Sequence, residues 1–231
     1  MEASLYLPGK QAYGPVLELQ RKWFDEAMQA RAAGHAPVNR LIIVEHHPVY
    51  TFGKHAKQGN LLVSPALLQQ LGADVFEIER GGDITFHGPG QLVAYPMFDL
   101  ELLNMGVKRF VEALEQSIIS CVAHFGIQAG IVPGRTGVWV DIGLPDERKI
   151  AAIGIRCSRH YTMHGLALNV NTDLAWFNHM IPCGIPDRGV TSIAKEAGQE
   201  LSMSKVIDTM LQSMQAHFPF NFVEQSVALN S

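Results

Sequence analysis

Residues 149 to 192 read KIAAIGIRCSRHYTMHGLALNVNTDLAWFNHMIPCGIPDRGVTS, and two strands are written into the first half of this stretch. Ile150 to Ile155 and Met163 to Val170 are short apolar runs of the kind that form buried strands. A short basic connection, R-C-S-R-H, joins them. A lone lysine, Lys149, opens the first run, and the second leads on to Cys183, held between Pro182 and Gly184. A two-strand unit that brings a lysine near a reactive-type cysteine in a rigid Pro-Cys-Gly turn points to covalent acyl chemistry. The rest of the chain is then expected to build a pocket around it.

Working outward, Val75 to Arg80 alternates apolar and polar residues, the pattern of a half-buried strand. It runs into R-G-G-D-I-T-F-H-G-P-G-Q, Arg80 to Gln91, and then a further strand, Leu92 to Phe98. Gly81, Gly82, Gly88 and Gly90 mean a backbone that turns sharply or lets another chain approach closely. Arg40 to Glu45 and Gly137 to Ile142 also read as strands. Gly14-Pro15 starts a helix that Gly34 can end, and Val107 to Phe125 carries the clearest apolar stripe, with Gly126 just beyond. A last helix covers Ser204 to His217. Residues 1 to 12 read as an extended lead-in, and residues 54 to 73 as a looser segment with a short helix after Ser64-Pro65. No repeat or linker interrupts the chain. The reading is one α/β domain over residues 1–222, with a mixed β-sheet and peripheral helices, and a frayed tail over 223–231.

Composition bounds the function. The chain has 231 residues, 47% hydrophobic and 17% charged, with a formal charge of −4, so it can fill a sizeable core and gives no global case for nucleic acid. No signal-peptide pattern and no membrane-length apolar run is present. Three widely spaced cysteines, Cys121, Cys157 and Cys183, fit free thiols in a reducing cytoplasm.

Cys183 lies in I-P-C-G-I-P-D-R-G, a rigid loop, and loops on a scaffold are where reactive groups sit. A free cysteine is otherwise a small core hydrophobe, the reading that suits Cys121 in its helical stripe. Cys157 falls in the basic turn, with nothing nearby resembling a fixed site. Lys149 is either a solvated charge at a strand entrance or a desolvated proton acceptor beside Ile150 to Ile153. His87, His164 and His179 compete for the role of base, and spacing alone does not choose between them. Zinc-type cysteine spacing is absent, so no metal is expected. The glycine-rich segment lacks phosphate-loop and dinucleotide signatures, and the wall of a narrow channel is its better reading.

Taken together, the motif from Arg80 to Gln91, Lys149 before Ala-Ile-Gly, His164-Gly165-Leu166-Ala167-Leu168-Asn169, and Pro182-Cys183-Gly184 followed by Thr191-Ser192 resemble the lipoyl(octanoyl) transferases. The resemblance runs from Glu45-His46 to about Ile193. One departure is His47, where the family usually has proline. The resemblance implies a fold related to the biotin and lipoate protein ligases, with the sheet around a substrate tunnel and no cofactor. It implies that Cys183 attacks the thioester of octanoyl-acyl carrier protein, with Lys149 as acid/base. The octanoyl (or lipoyl) group then passes to a lysine of a lipoyl domain, as in the E2 subunits of 2-oxoacid dehydrogenases, or of the glycine-cleavage H protein. Substrate contacts fall on Arg80, Gly81, Gly82, Asp83, Ile84, Thr85, Phe86 and His87, on Ala152, Ile153 and Gly154, and on Gly165, Leu166 and Ala167.

Thiolate attack on a thioester is nearly isoenergetic and amide formation from a thioester is downhill, so such a transfer needs no ATP. Two rivals stand beside it. An ATP-dependent lipoate ligase would share the fold and a lysine without needing Cys183, and a non-catalytic acyl-binding module would hold the chain without passing it on. A relative that moves octanoyl groups between lipoyl domains would also use a cysteine. Lys108, Arg109, Arg135, Arg148, Arg156 and Arg159 are candidates for a basic patch that meets the acidic carrier protein.

Overall fold

The central strands read as unbroken apolar runs because both of their faces are covered. The computed structural model describes residues 1–181 and 189–227. Its elements run β1 (Glu2–Gln11), α1 (Tyr13–Ala32), β2 (Arg40–His46), β3 (Val49–Phe52), α2 (Pro65–Gln70) and β4 (Asp74–Glu77). Next come β5 (Ile84–His87), β6 (Gln91–Met97), α3 (Val107–Ala123), β7 (Ala129–Val132), β8 (Arg135–Val140) and β9 (Arg148–Ser158). The last are β10 (Tyr161–Asn169), β11 (Gly189–Val190), α4 (Ile193–Ala197), α5 (Met203–His217) and β12 (Asn221–Glu224).

Among the described residues, nine strands form a mixed sheet in the order β12-β1-β2-β6-β10-β9-β8-β7, with β11 added beside β9. It is open, and a second, three-stranded sheet, β4-β3-β5, stands apart from it. Alternation along the central strands divides the core. Leu41, Ile43, Leu92, Ala94, Leu166 and Leu168 join α3 and α5 on one face. Ile42, Val44, Val93, Tyr95, Met163 and Ala167 join Val16, Leu17, Trp23 and Phe24 of α1 on the other. A strand buried on both faces carries no polar alternation. The mixed α/β fold read from the sequence is therefore the one observed. Among the described residues no helix is long and apolar enough to cross a membrane.

The structure redraws several boundaries. Arg159 and His160, with φ of 45° and 63°, form a two-residue turn between β9 and β10, the tight hairpin geometry that matches strand twist. Cys157 is thus not in a turn. It lies in β9, half-buried against the main core, and burial raises its thiol pKa. The lead-in is strand β1, parallel to β2. The strand expected over Val75 to Arg80 stops at Glu77, and β5 crosses the middle of the segment read as a glycine loop. The chain does not leave regular structure at Phe222, because β12 pairs with β1 through Leu5↔Glu224, and Gln225 N donates to Leu5 O. Strand pairing with the edge of a sheet has no local signature, so short β12 was not legible. At His47 the backbone N–H donates to Gln11 O at 3.1 Å, a bond that proline cannot make.

Candidate active site

A cavity of about 540 Å³ opens between the 80–87 segment and strands β9 and β10. Arg80, Gly81, Gly82, Asp83, Ile84, Thr85, His87, Ala152, Ile153, Gly154, Gly165, Leu166 and Ala167 all line it, together with Lys149. Phe86 is the exception among the expected contacts. Its ring faces the third core cluster, stacked on Trp176 with centroids 5.2 Å apart and edge-on to Phe177. Alternation along β5 sends it away from the residues on either side.

The glycines work by admitting backbone. Gly81 N donates to Ile155 O at 2.9 Å, laying the loop directly on β9. A Cβ on Gly154 would stand 2.9 Å from Gly81 O, and one on Gly53 would stand 2.5 Å from Gly82 O. Arg80 is buried and holds this corner: its guanidinium donates to Thr51 O at 2.7 Å, to Thr51 Oγ1 and to Gly81 O. Asp83 accepts from Ile84 N and from Asn60 Nδ2. A channel wall is what these contacts make.

Lys149 sits at the second position of β9. Its Nζ donates to Thr136 O at 3.2 Å and stands 4.6 Å from the centroid of the Trp139 ring. On the other side β11 runs parallel to β9, pairing Gly189 with Arg148 and Val190 with Lys149, and Thr191 N donates to Lys149 O at 2.9 Å. Arg148 makes a two-pronged ion pair with Glu196, at 2.7 and 2.6 Å. Glu196 also accepts from the Thr191 hydroxyl. These bonds pin α4 and β11 beside the lysine. Cys183 lies outside the described residues. The last described residue before it, Ile181, donates from N to Asn60 O, and the chain resumes at Gly189 opposite Arg148.

Three of the six basic residues suggested as a patch have partners within the fold, while Lys108, Arg109 and Arg159 are exposed. Arg148 pairs with Glu196 and Asp141, Arg135 with Glu147 at 2.8 Å, and the Arg156 guanidinium lies 4.7 Å from the Phe24 ring centroid. Arg135 also lines the cavity.

A group of buried aromatic and histidine side chains also reaches the cavity wall: Tyr13, His87, Tyr95 and His164. His46 Nδ1 donates to Gln11 O, which leaves Nε2 to accept the Tyr95 O–H at 2.8 Å. Gln91 spends its amide N–H groups on Phe86 O and Asn169 Oδ1, so its oxygen accepts from His87 Nδ1 at 2.8 Å. Neither ring nitrogen of His164 has a hydrogen-bond partner in the described structure. His179 instead meets the Tyr50 hydroxyl at 3.0 Å and is not part of the lining. Burial foremost lowers the pKa of His46 to about 4, and those of His87 and His164 to about 3. Tyr13, Tyr95, Thr136 and Trp139 went unnoticed in the sequence because no local motif marks them; tertiary packing brings them to the wall.

These neutral histidines couple folding to pH. Each folded pKa lies below the unfolded value of 6.5, so the unfolded chain takes up protons first as pH falls. The associated stability is full above about pH 6.5 and is lost progressively toward pH 3 to 4. At pH 5 each histidine costs about 2 kcal/mol relative to pH 7. A drop in melting temperature of at least about 5 °C between pH 7 and pH 5 is expected. A thermal melt that does not move over this range would show that the three rings do not stay neutral in the fold.

Among the described residues, the mixed sheet carries a cavity walled by both apolar and polar side chains, with Lys149 as the lysine in its lining. The family profile described as the lipoyl protein ligase A/B catalytic domain matches residues 18–215, and the chain belongs to this family. It is 47% identical over 194 residues to an octanoyltransferase of Bacteroides thetaiotaomicron, covering 84% of this chain and 86% of that protein. An octanoyltransferase of Cytophaga hutchinsonii is 48% identical over 184 residues, 79% of this chain and 75% of that one. Among solved structures, the bipartite lipoate protein ligase and E2 lipoyl domain system of Thermoplasma acidophilum contains a chain with the same fold. Its TM-score is 0.74 at 16% identity, over 99% of this chain and 88% of that chain. The family expected from the sequence motifs is the one found.

Proposed function

We propose that this chain is an octanoyltransferase of lipoate biosynthesis that works through a thioester on Cys183. The single observation that carries the reading is Lys149 at the edge of a cavity whose walls are the expected substrate segments, in a chain 47% identical to an octanoyltransferase. In the first half-reaction the Cys183 thiol gives its proton to the Lys149 amine, and the thiolate attacks the carbonyl of the octanoyl-carrier thioester. The tetrahedral adduct collapses by breaking the bond to the carrier sulfur, which takes the proton back from Lys149. In the second, the ε-amine of an acceptor lysine attacks the enzyme thioester, an amide forms, and Cys183 leaves as the thiolate. Lys149 takes the amine's surplus proton and returns it to Cys183.

The donor in this reading is octanoyl-acyl carrier protein. The acceptors are lipoyl domains of 2-oxoacid dehydrogenase E2 subunits and the glycine-cleavage H protein. Val93, Ile153, Leu166 and Ala167 supply apolar wall, and burying six methylenes of an octanoyl chain is worth about 5 kcal/mol.

The test is intact-mass spectrometry of the protein mixed with octanoyl-acyl carrier protein in the absence of ATP. One octanoyl group on Cys183, cleared by an unmodified lipoyl domain, is the expected result. No adduct on folded protein with a free thiol, together with ATP-dependent use of free octanoate, would replace this reading with a ligase.

A further inference from the structure

Glu115 is a buried acid that the reaction scheme leaves unused. It projects from α3, only 4% exposed, and its Oε1 accepts from Gly137 N at 2.9 Å. Gly137 is not ordinary strand. Its φ is +116°, and a Cβ there would stand 2.5 Å from Ala151 O and 3.4 Å from Lys149 Cε. The pairing of β8 with β9 slips at this point: Val138 faces Ala151 but Trp139 faces Lys149, which leaves Ile150 as the extra residue of a bulge. Bulges re-aim side chains. Two groups that touch the Lys149 amine flank this irregularity, the Thr136 carbonyl on one side and the Trp139 ring on the other.

We infer that Glu115 is a positioning residue for Lys149. Its carboxylate oxygen fixes Gly137, and through it the Thr136 carbonyl and Trp139 ring that hold the lysine at the cavity. The electrostatics agree. Burial raises the Glu115 pKa, the Gly137 N–H lowers it, Glu112 raises it, and the charge of Lys149 lowers it again, so the two groups sense each other. Ala on Gly137 would meet backbone, which explains why the turn toward Glu115 is made with glycine. The inference rests on Lys149 being the acid/base of the proposed reaction.

The experiment is single-turnover acylation of the enzyme by octanoyl-acyl carrier protein, with Glu115→Ala, Glu115→Gln, Lys149→Ala and the Glu115→Ala/Lys149→Ala pair, each checked for folding by thermal unfolding. Glu115→Ala should lower the maximal rate roughly 10- to 100-fold, the penalty of a misplaced catalytic group, and leave the carrier concentration at half-maximal rate unchanged. Glu115→Gln keeps an oxygen able to accept from Gly137 N and should recover most of the rate. The double variant should be no slower than Lys149→Ala. If Glu115→Ala fails to fold, Glu115→Asp, which draws the carboxylate back by one methylene, takes its place with the same expected loss. A normal rate in the shortened variant, a Glu115→Gln as slow as Glu115→Ala, or a further loss on top of Lys149→Ala would each overturn the positioning role. A normal rate in Lys149→Ala would instead remove the reading of the lysine on which the inference stands.

Discussion

Replacing Cys183 with alanine is expected to abolish octanoyl transfer and the covalent acyl adduct together. The scheme needs a sulfur that can take an acyl group from one thioester and release it to an amine, and the other two cysteines cannot substitute. Cys121 is fully buried in the α3 stripe, and burial pushes its thiol up to about 12. Cys157 lies eight residues beyond Lys149 in the same strand, which at about 3.3 Å per residue puts it about 26 Å along β9. Its thiol pKa is also raised by burial. The measurement is intact mass after exposure to the octanoyl carrier, paired with detection of octanoyl amide on the acceptor. An adduct of normal yield on Cys183→Ala would sink the thioester scheme.

Lys149→Ala should slow acylation by about 10²- to 10⁴-fold, the usual worth of a positioned proton-transfer group. A thiol of ordinary pKa, about 8.5, is mostly protonated at neutral pH, so its attack needs a base. The sequence left His87, His164 and His179 as competitors. His179 stands against the Tyr50 hydroxyl outside the cavity lining. His87 and His164 line the cavity, yet burial holds their pKa values near about 3, which makes them feeble proton acceptors, and His87 already donates through Nδ1 to Gln91. The scheme gives the step to Lys149, whose contacts include Thr136 O and the Trp139 ring. Stopped-flow or quenched single-turnover acylation separates this step from release of product. An unchanged rate constant in folded Lys149→Ala would strip the lysine of its role. The apolar walls are untouched by the change, so the carrier concentration at half-maximal rate should stay where it is.

Much of the architecture was legible because it is written locally. The β9 and β10 runs, the α3 stripe ending at Gly126 and the helix over Met203–His217 each follow from periodicity and punctuation within a dozen or so residues. The glycines of the 80–91 segment announced a close backbone approach, and Gly81, Gly82 and Gly154 make one. Other features were out of reach. Phe86 sits inside a motif otherwise devoted to the cavity, and only the pleat of β5 turns its ring toward Trp176. Cys157 read as a turn residue because charge surrounds it, whereas the turn needs only Arg159 and His160. Arg148 read as a surface charge, and the carboxylate that claims it, Glu196, lies 48 residues away.

By itself, then, the sequence determined the central strands and the longer helices, the family its motifs belong to, and which lysine and glycines meet in one pocket. Those properties live in short-range patterns of size, polarity and backbone freedom. Only the tertiary structure decided that β11 lies against Lys149, that Glu115 reaches Gly137 from another layer, and that the three histidines His46, His87 and His164 are neutral. Each of these depends on partners distant in the chain, and on a burial that no residue carries in its own identity.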